Sequence, residues 1–207
     1  MKKLYVLVAC EESQTSCIAF RELGCEAFSC DFQPCSGGHP EWHIQADVTA
    51  LLPNRKCYFI CEDGSFHTVP KWDLLLAHPT CTYLSAAYTR HLTVDRIKLM
   101  KEAASFFMKF YNAPFDYICV ENPRPFRIAG LPVPTCVVSP HMFGSKFSKR
   151  TYLWTRNLPP IIPTCFYNNP ISFTATRSGS IARSKSDPIM YREIANQFIS
   201  FINYLEN

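Results

Sequence analysis

A recurring unit constrains this 207-residue chain most: a short, almost unbroken apolar run that stops on polar residues, then a stretch with helical spacing. Leu4-Tyr5-Val6-Leu7-Val8-Ala9 runs into Cys10-Glu11-Glu12-Ser13, Glu26 to Cys30 ends at Asp31, Trp72 to Ala77 ends at His78-Pro79, and Tyr117 to Val120 ends at Glu121-Asn122-Pro123. Runs of this length without alternation read as strands buried on both faces, the habit of parallel sheets. Between them, Ser16 to Leu23 places Cys17, Ile18, Phe20 and Leu23 at helical spacing and stops at Gly24, and Arg96 to Tyr111 gathers its apolar positions on one side. Tyr191 to Leu205 reads as a closing helix. Strands alternating with helices predict an α/β fold, a Rossmann-like, doubly wound, mostly parallel sheet.

With 47% hydrophobic residues over 207 positions, the chain has material for one sizeable core and is expected to form a single domain, 1–207. A loop-rich insertion is expected at about 156–188, overlapping the end of a proline-rich region, Pro123 to Pro170, that holds one strand, Thr151 to Trp154. Arg177 to Lys185 reads as a basic, glycine-containing loop. The net charge of +4 permits a polyanionic partner but is too small for a protein that coats nucleic acid. Eleven cysteines, an odd number without a CxxC pair, and no secretory pattern after Met1-Lys2-Lys3 point to reduced thiols and a cytoplasmic protein. No apolar stretch approaches the ~18 residues of a membrane span.

In a doubly wound sheet, ligands sit at the carboxyl ends of the strands, where this chain concentrates its polar residues. Asp31, closing the second strand, has the position of a partner for ribose hydroxyls, and Asp47 could accept a hydrogen bond from an adenine amino group. Either aspartate could instead simply cap its loop. Cys81 lies just past a strand end in His78-Pro79-Thr80-Cys81-Thr82-Tyr83-Leu84-Ser85, where a thiolate would face a cleft and could attack the electron-poor carbon 6 of a pyrimidine. The competing role is a buried small hydrophobe. Glu121 brings a carboxyl group to the same edge and could share a proton with a ring nitrogen, or be a solvent-facing acid. Ser148-Lys149-Arg150 precedes a strand, so Arg150 could hold a base carbonyl or a phosphate. Cys30, Cys35, His39 and His43 have spacings zinc tolerates, but the spacing is unusual and Asp31 accounts for the region, so no metal is expected.

Taken in order, Pro79-Thr80-Cys81, Glu121-Asn122-Pro123, Phe147 to Leu153 and Arg192-Glu193-Ile194-Ala195-Asn196 resemble the successive motifs of the cytosine carbon-5 DNA methyltransferases, and more particularly short, phage-type methyltransferase-like members. The resemblance covers most of the chain. It implies methyl transfer from S-adenosylmethionine to carbon 5 of cytosine in DNA or a nucleotide, with Cys81, Glu121 and Arg150 catalytic. Glu11, Asp31, Asp47, Pro79 and Asn196 would bind the cofactor, and His78, Thr82, Ser85, Asn122 and Lys149 the substrate. A base in a duplex would have to leave the stack.

Departures from the family pattern define the alternatives. The first-strand loop, Cys10 to Thr15, has no glycine; Thr82 replaces a glutamine; Ser148 stands where the family has a further arginine. The segment between Trp154 and Arg192 is too short for a target-recognition domain, although Arg177, Arg183 and Lys185 could touch phosphates. A catalytically inactive relative that binds nucleic acid or a host protein, as a phage inhibitor would, is the rival reading; a different transferase or hydrolase on the same fold is the other.

Overall fold

The computed structural model describes residues 3–85, 93–172 and 186–206. The main sheet is built from β1 (Tyr5–Ala9), β2 (Glu26–Asp31), β3 (His43–Gln45), β6 (Leu74–Ala77), β7 (Tyr117–Asn122), β8 (Cys136–Val138) and β10 (Thr151–Arg156), in the spatial order β3-β2-β1-β6-β7-β10-β8. The first five of these neighbours run parallel, and β10 is antiparallel to both β7 and β8. Helices α1 (Thr15–Glu22) and α3 (Pro188–Glu206) cover one face, and α2 (Val94–Tyr111) covers the other. This is a Rossmann-like, doubly wound, mostly parallel sheet.

Strand alternation divides the core. In β6, Leu74 and Leu76 face α1 and α3, whereas Leu75 and Ala77 face α2; Leu7 and Ala9 of β1 follow Leu75, and Val6 and Val8 follow Leu74. All of these side chains are buried, which is why neither face of the central strands carries polar residues. Trp154 of β10 meets Phe107 of α2 edge to face at 5.0 Å, and its indole Nε1 donates to the Pro132 carbonyl at 2.8 Å, so its one polar atom is satisfied.

The helix boundaries follow from their caps. Gly24 takes φ 81° and ends α1, the left-handed position a glycine supplies without steric cost. Thr93 accepts the Arg96 amide in its side chain, so α2 starts two residues before the periodic apolar pattern does. Asp187 accepts from the Met190 amide at 3.1 Å and from Ser145 Oγ at 2.7 Å, and Pro188 fills the first helical position of α3, three residues ahead of Tyr191. At the far end of α2, the Arg156 guanidinium reaches the carbonyls of Tyr111, Ala113 and Phe115, tying the helix exit and the entry to β7 onto β10.

Six of the described strands are absent from the sequence reading. β3 lies in the segment read as loop, and β8 lies in the proline-rich region. An antiparallel hairpin, β4 (Cys57–Ile60) with β5 (Phe66–Val69), packs Phe59 and Val69 inward against Phe28 and Trp72. Two short strands, β9 (Phe147–Ser148) and β11 (Ile171–Ser172), pair beside the last part of the sheet. The basic stretch with Arg177, Arg183 and Lys185 lies outside the described residues. Among the described residues no helix is long and apolar enough to cross a membrane.

Candidate active site

The strand order reverses between β1 and β6, so the loops leaving these two strands part and open a crevice at their carboxyl ends. From β1 comes Glu11; from β6 come His78, Pro79 and Cys81; from the adjacent β7 come Glu121 and Asn122. The His78 amide still donates to the Ala9 carbonyl at 2.9 Å, which fixes its side chain at the lip of the crevice.

Glu11 is buried, and its carboxylate turns back onto α1, accepting from the amides of Ser16 (2.8 Å) and Cys17 (3.1 Å). The first turn of that helix therefore carries its own anion where the backbone dipole favours one. The loop between them does without glycine by placing two other residues in the left-handed region, Cys10 (φ 59°) and Gln14 (φ 56°). Gln14 is fully buried: its Oε1 accepts from the His39 amide at 3.0 Å, and its Nε2 donates to the His39 carbonyl at 2.8 Å. Gly37 packs flat on this contact, because a Cβ there would stand 2.6 Å from the Ser13 carbonyl oxygen.

His78 is the hub of the crevice. Nδ1 lies 3.4 Å from Glu121 Oε2 and 3.5 Å from the Tyr191 hydroxyl; Nε2 lies 3.2 Å from Ser16 Oγ and 3.9 Å from Glu11 Oε1. Burial opposes a charge on the ring and Lys149 adds repulsion, but Glu121 and Glu11 prevail and raise its pKa above the usual histidine value. Tyr191 is held protonated, first by burial and then by Glu121, Cys119 and Glu11.

Cys81 is exposed, at the head of a turn in which the Leu84 and Ser85 amides donate to its carbonyl at 3.1 and 2.9 Å. Crowding by neighbouring atoms and the charge of Glu121 push its thiol up, while Lys149 pulls it down. Asn122 is fully buried, and its Nδ2 donates to the Pro79 carbonyl at 2.9 Å, pinning the Cys81 loop to β7; its Oδ1 is buried without a partner among the described residues. The Lys149 amide donates to the buried Ser139 hydroxyl at 3.0 Å, which seats the segment entering β10.

The predicted residues thus divide by place. Glu11, His78, Pro79, Cys81, Glu121, Asn122 and Lys149 meet in the crevice through contacts or charge. Thr82 is exposed and accepts in its side chain from Thr80 at 3.3 Å, and Ser85 bridges to Pro125. Arg150 is exposed, and no hydrogen bond among the described residues ties it to these groups. Asp31 and Asp47 both lie near Cys10 and Cys30 and raise their thiols, after burial, the main cause. Each also caps its own loop: Asp31 accepts from the Gln33 amide at 2.9 Å, and Asp47 from the amide and hydroxyl of Thr49, which lower its own pKa. Asn196 is half-buried on α3, more than a turn beyond Tyr191. Of the residues with zinc-like spacing, His43 commits Nδ1 to Ser29 Oγ (2.8 Å) and Nε2 to the Gln33 carbonyl (2.9 Å), and among the described residues no group of three metal-ligating side chains gathers.

Ser16, Gln14 and Tyr191 are the participants that sequence reading missed. Tyr191 did carry a signal: it falls on the apolar face with Ile194, Ala195 and Phe198, and a phenol on a buried face needs a polar partner.

No family model matches the chain, and no curated protein matches it. Solved structures to which it is similar include the following two, of each of which it spans about half the length. Against the Dnmt2 methyltransferase of S. pombe the TM-score is 0.46 at 15% identity, covering 76% of this chain and 52% of that one. Against a protein described as a DNA modification methyltransferase, encoded within an E. coli prophage, the TM-score is 0.47 at 12% identity, covering 83% and 53%.

Proposed function

We propose that the crevice performs methyl transfer from S-adenosylmethionine to carbon 5 of a cytosine in DNA or a nucleotide. The observation that carries this reading is the meeting, at the point where the strand order reverses, of a solvent-facing thiol, a half-buried carboxylate and a lysine, with Glu121 and Lys149 both acting on Cys81.

The charge around the crevice suits this cofactor better than a phosphate-bearing one. Glu11 already fills the start of α1, so a ligand phosphate there would meet a carboxylate. Asp31 and Asp47, close enough together to act on the same two cysteines, extend the negative potential along the ends of β1 to β3. A cationic, phosphate-free nucleoside derivative fits that field, with the aspartates for its sugar and base and Glu11 on the side of its positive charge. Bound there, S-adenosylmethionine supplies an electrophilic methyl group.

The chain's own groups do the rest. Cys81 adds to carbon 6 of the pyrimidine, and Glu121 bonds the ring nitrogen and shares a proton with it, so that negative charge builds at carbon 5. Lys149 stabilises the thiolate, and Arg150, exposed beside it, receives the base carbonyl or a phosphate of the incoming strand. Asn122 keeps the thiol in range by holding Pro79. Without a target-recognition domain in the described residues, the reading favours a single-stranded or monomeric substrate, or a duplex bound with little sequence preference.

Calorimetric titration with S-adenosylmethionine and its demethylated product is the direct test. Binding of both, with Cys81→Ser keeping cofactor affinity and losing methyl transfer to cytosine, supports the assignment. No heat at millimolar ligand would leave the rival, a methyltransferase-like binder without activity, as the better account.

A further inference from the structure

The crevice contains a proton carrier that the reaction just described does not use. We propose that His78 is a positioning residue acting through Glu121: it grips carboxylate Oε2 and holds the proton that Glu121 passes to the ring nitrogen of the bound base. The inference rests on the methyltransferase reading and deepens it.

Three features carry it. The ring lies between two carboxylates, with Nδ1 at 3.4 Å from Glu121 and Nε2 at 3.9 Å from Glu11, so a doubly protonated ring donates toward Glu121 on one side and toward Ser16 Oγ, at 3.2 Å, on the other. Its side chain is only 11% exposed and that of Glu121 12%, so the proton between them is shielded from bulk water. Oε2 is committed to His78, which leaves Oε1 for a ligand. The charged or titratable groups that face the ring are Glu11 from the first loop, Glu121 from β7, the neutral Tyr191 phenol from α3 and Lys149 ahead of β10.

The proton count closes. In the resting protein the proton sits on His78 and Glu121 is ionised, and that negative charge also holds the Cys81 thiol up. When a base binds, the His78 Nδ1–H bond breaks and Glu121 takes that proton at Oε2; the neutral carboxyl group turns about its Cγ–Cδ bond and donates it in a hydrogen bond to the ring nitrogen. The ring becomes more electrophilic. As Glu121 no longer repels a neighbouring anion while it is neutral, the thiol releases its proton to solvent; as the sulfur–carbon 6 bond forms and negative charge builds in the ring, the shared proton crosses to the ring nitrogen and leaves Glu121 ionised. After methyl transfer the carbon 5 proton leaves to solvent, the sulfur–carbon bond breaks, the sulfur regains a proton from solvent, and the ring proton returns through Glu121 to His78. One proton transfer thus prepares both the electrophile and the nucleophile.

Two measurements on the full chain test it. The first is an NMR titration of the ring nitrogens of the six histidines, with the His78 signal identified by its loss in His78→Gln. The expected midpoint for His78 lies above the ordinary 6.5 and falls in Glu121→Gln and again in Glu11→Gln. A midpoint at or below 6.5, or one indifferent to Glu121→Gln, overturns the proposal without reference to any activity. The second is the pH profile of methyl transfer. The wild-type rate should decline as pH rises through the His78 midpoint, and His78→Gln should lose about 10²-fold in rate and lose that limb, with unchanged affinity for S-adenosylmethionine. A variant with the wild-type rate and profile overturns the proton role. Absence of cofactor binding in the wild type overturns the reading beneath it, and the ring titration still reports on the histidine–carboxylate contact.

Discussion

Cys81 is exposed but not activated at rest, since crowding and the charge of Glu121 outweigh Lys149. Its alkylation by iodoacetamide, followed by peptide mass spectrometry, should be slower at neutral pH than that of an ordinary thiol and should accelerate as pH rises. Glu121→Gln removes a repelling charge and should speed the reaction; Lys149→Gln removes an attracting one and should slow it. Either change in the opposite direction refutes the electrostatic assignment. The same carboxylate gives His78 a signature in stability. A histidine whose folded pKa is raised contributes stability that is fully present below 6.5 and is lost as pH rises through the folded value. Denaturant midpoints should therefore fall across that window in the wild type and change less in His78→Gln.

At the scale of elements, the loop after β1 shows how a glycine-free sequence reaches a geometry usually assigned to glycine. Cys10 and Gln14 accept left-handed backbone, and buried hydrogen bonds from Gln14 to His39 hold it. The glycine that the arrangement does need lies elsewhere, at Gly37, where a methyl group would collide with backbone. Gly37→Ala should cost about 1–3 kcal/mol, measured by chemical denaturation, whereas Gly38→Ala, whose position is open but left-handed, should cost about 1 kcal/mol. An unchanged Gly37→Ala protein would mean the two loops are not locked together. The same loops show what the sequence disclosed. The four long buried strands and three helices were legible because burial on both faces, or on one helical stripe, writes a periodic pattern. β3, β8 and the β4–β5 hairpin were not, because each is short and partly exposed and takes its stability from neighbours distant in sequence. Cys81, Glu121 and His78 could be located by their position after strands. The link from His78 to Tyr191 joins residues 113 apart, and only the packing of α3 on α1 brings it about.

For the whole molecule, the sheet separates two apolar layers, and the crevice lies along the edge that both layers share. A ligand seated there touches loops anchored in each layer, so binding should stabilise the fold globally. At 100 times its dissociation constant, S-adenosylmethionine should add about 2.7 kcal/mol, visible as a rise in the thermal midpoint that a nucleoside triphosphate at equal concentration does not match. Equal shifts from both would remove the argument from the built-in anion of Glu11.

Arg156 joins three carbonyls that belong to the end of α2 and the approach to β7, although it belongs to β10. These segments consequently cannot loosen one at a time: any opening that frees one strips several buried acceptors at once. In deuterium exchange, amides of α2, β7 and β10 should turn over together with a common rate, later than those of the β4–β5 hairpin, whose Tyr58, Ile60 and Phe66 stand in water. The segment bearing Glu121 would then be among the last to breathe, which keeps its carboxylate in register with His78.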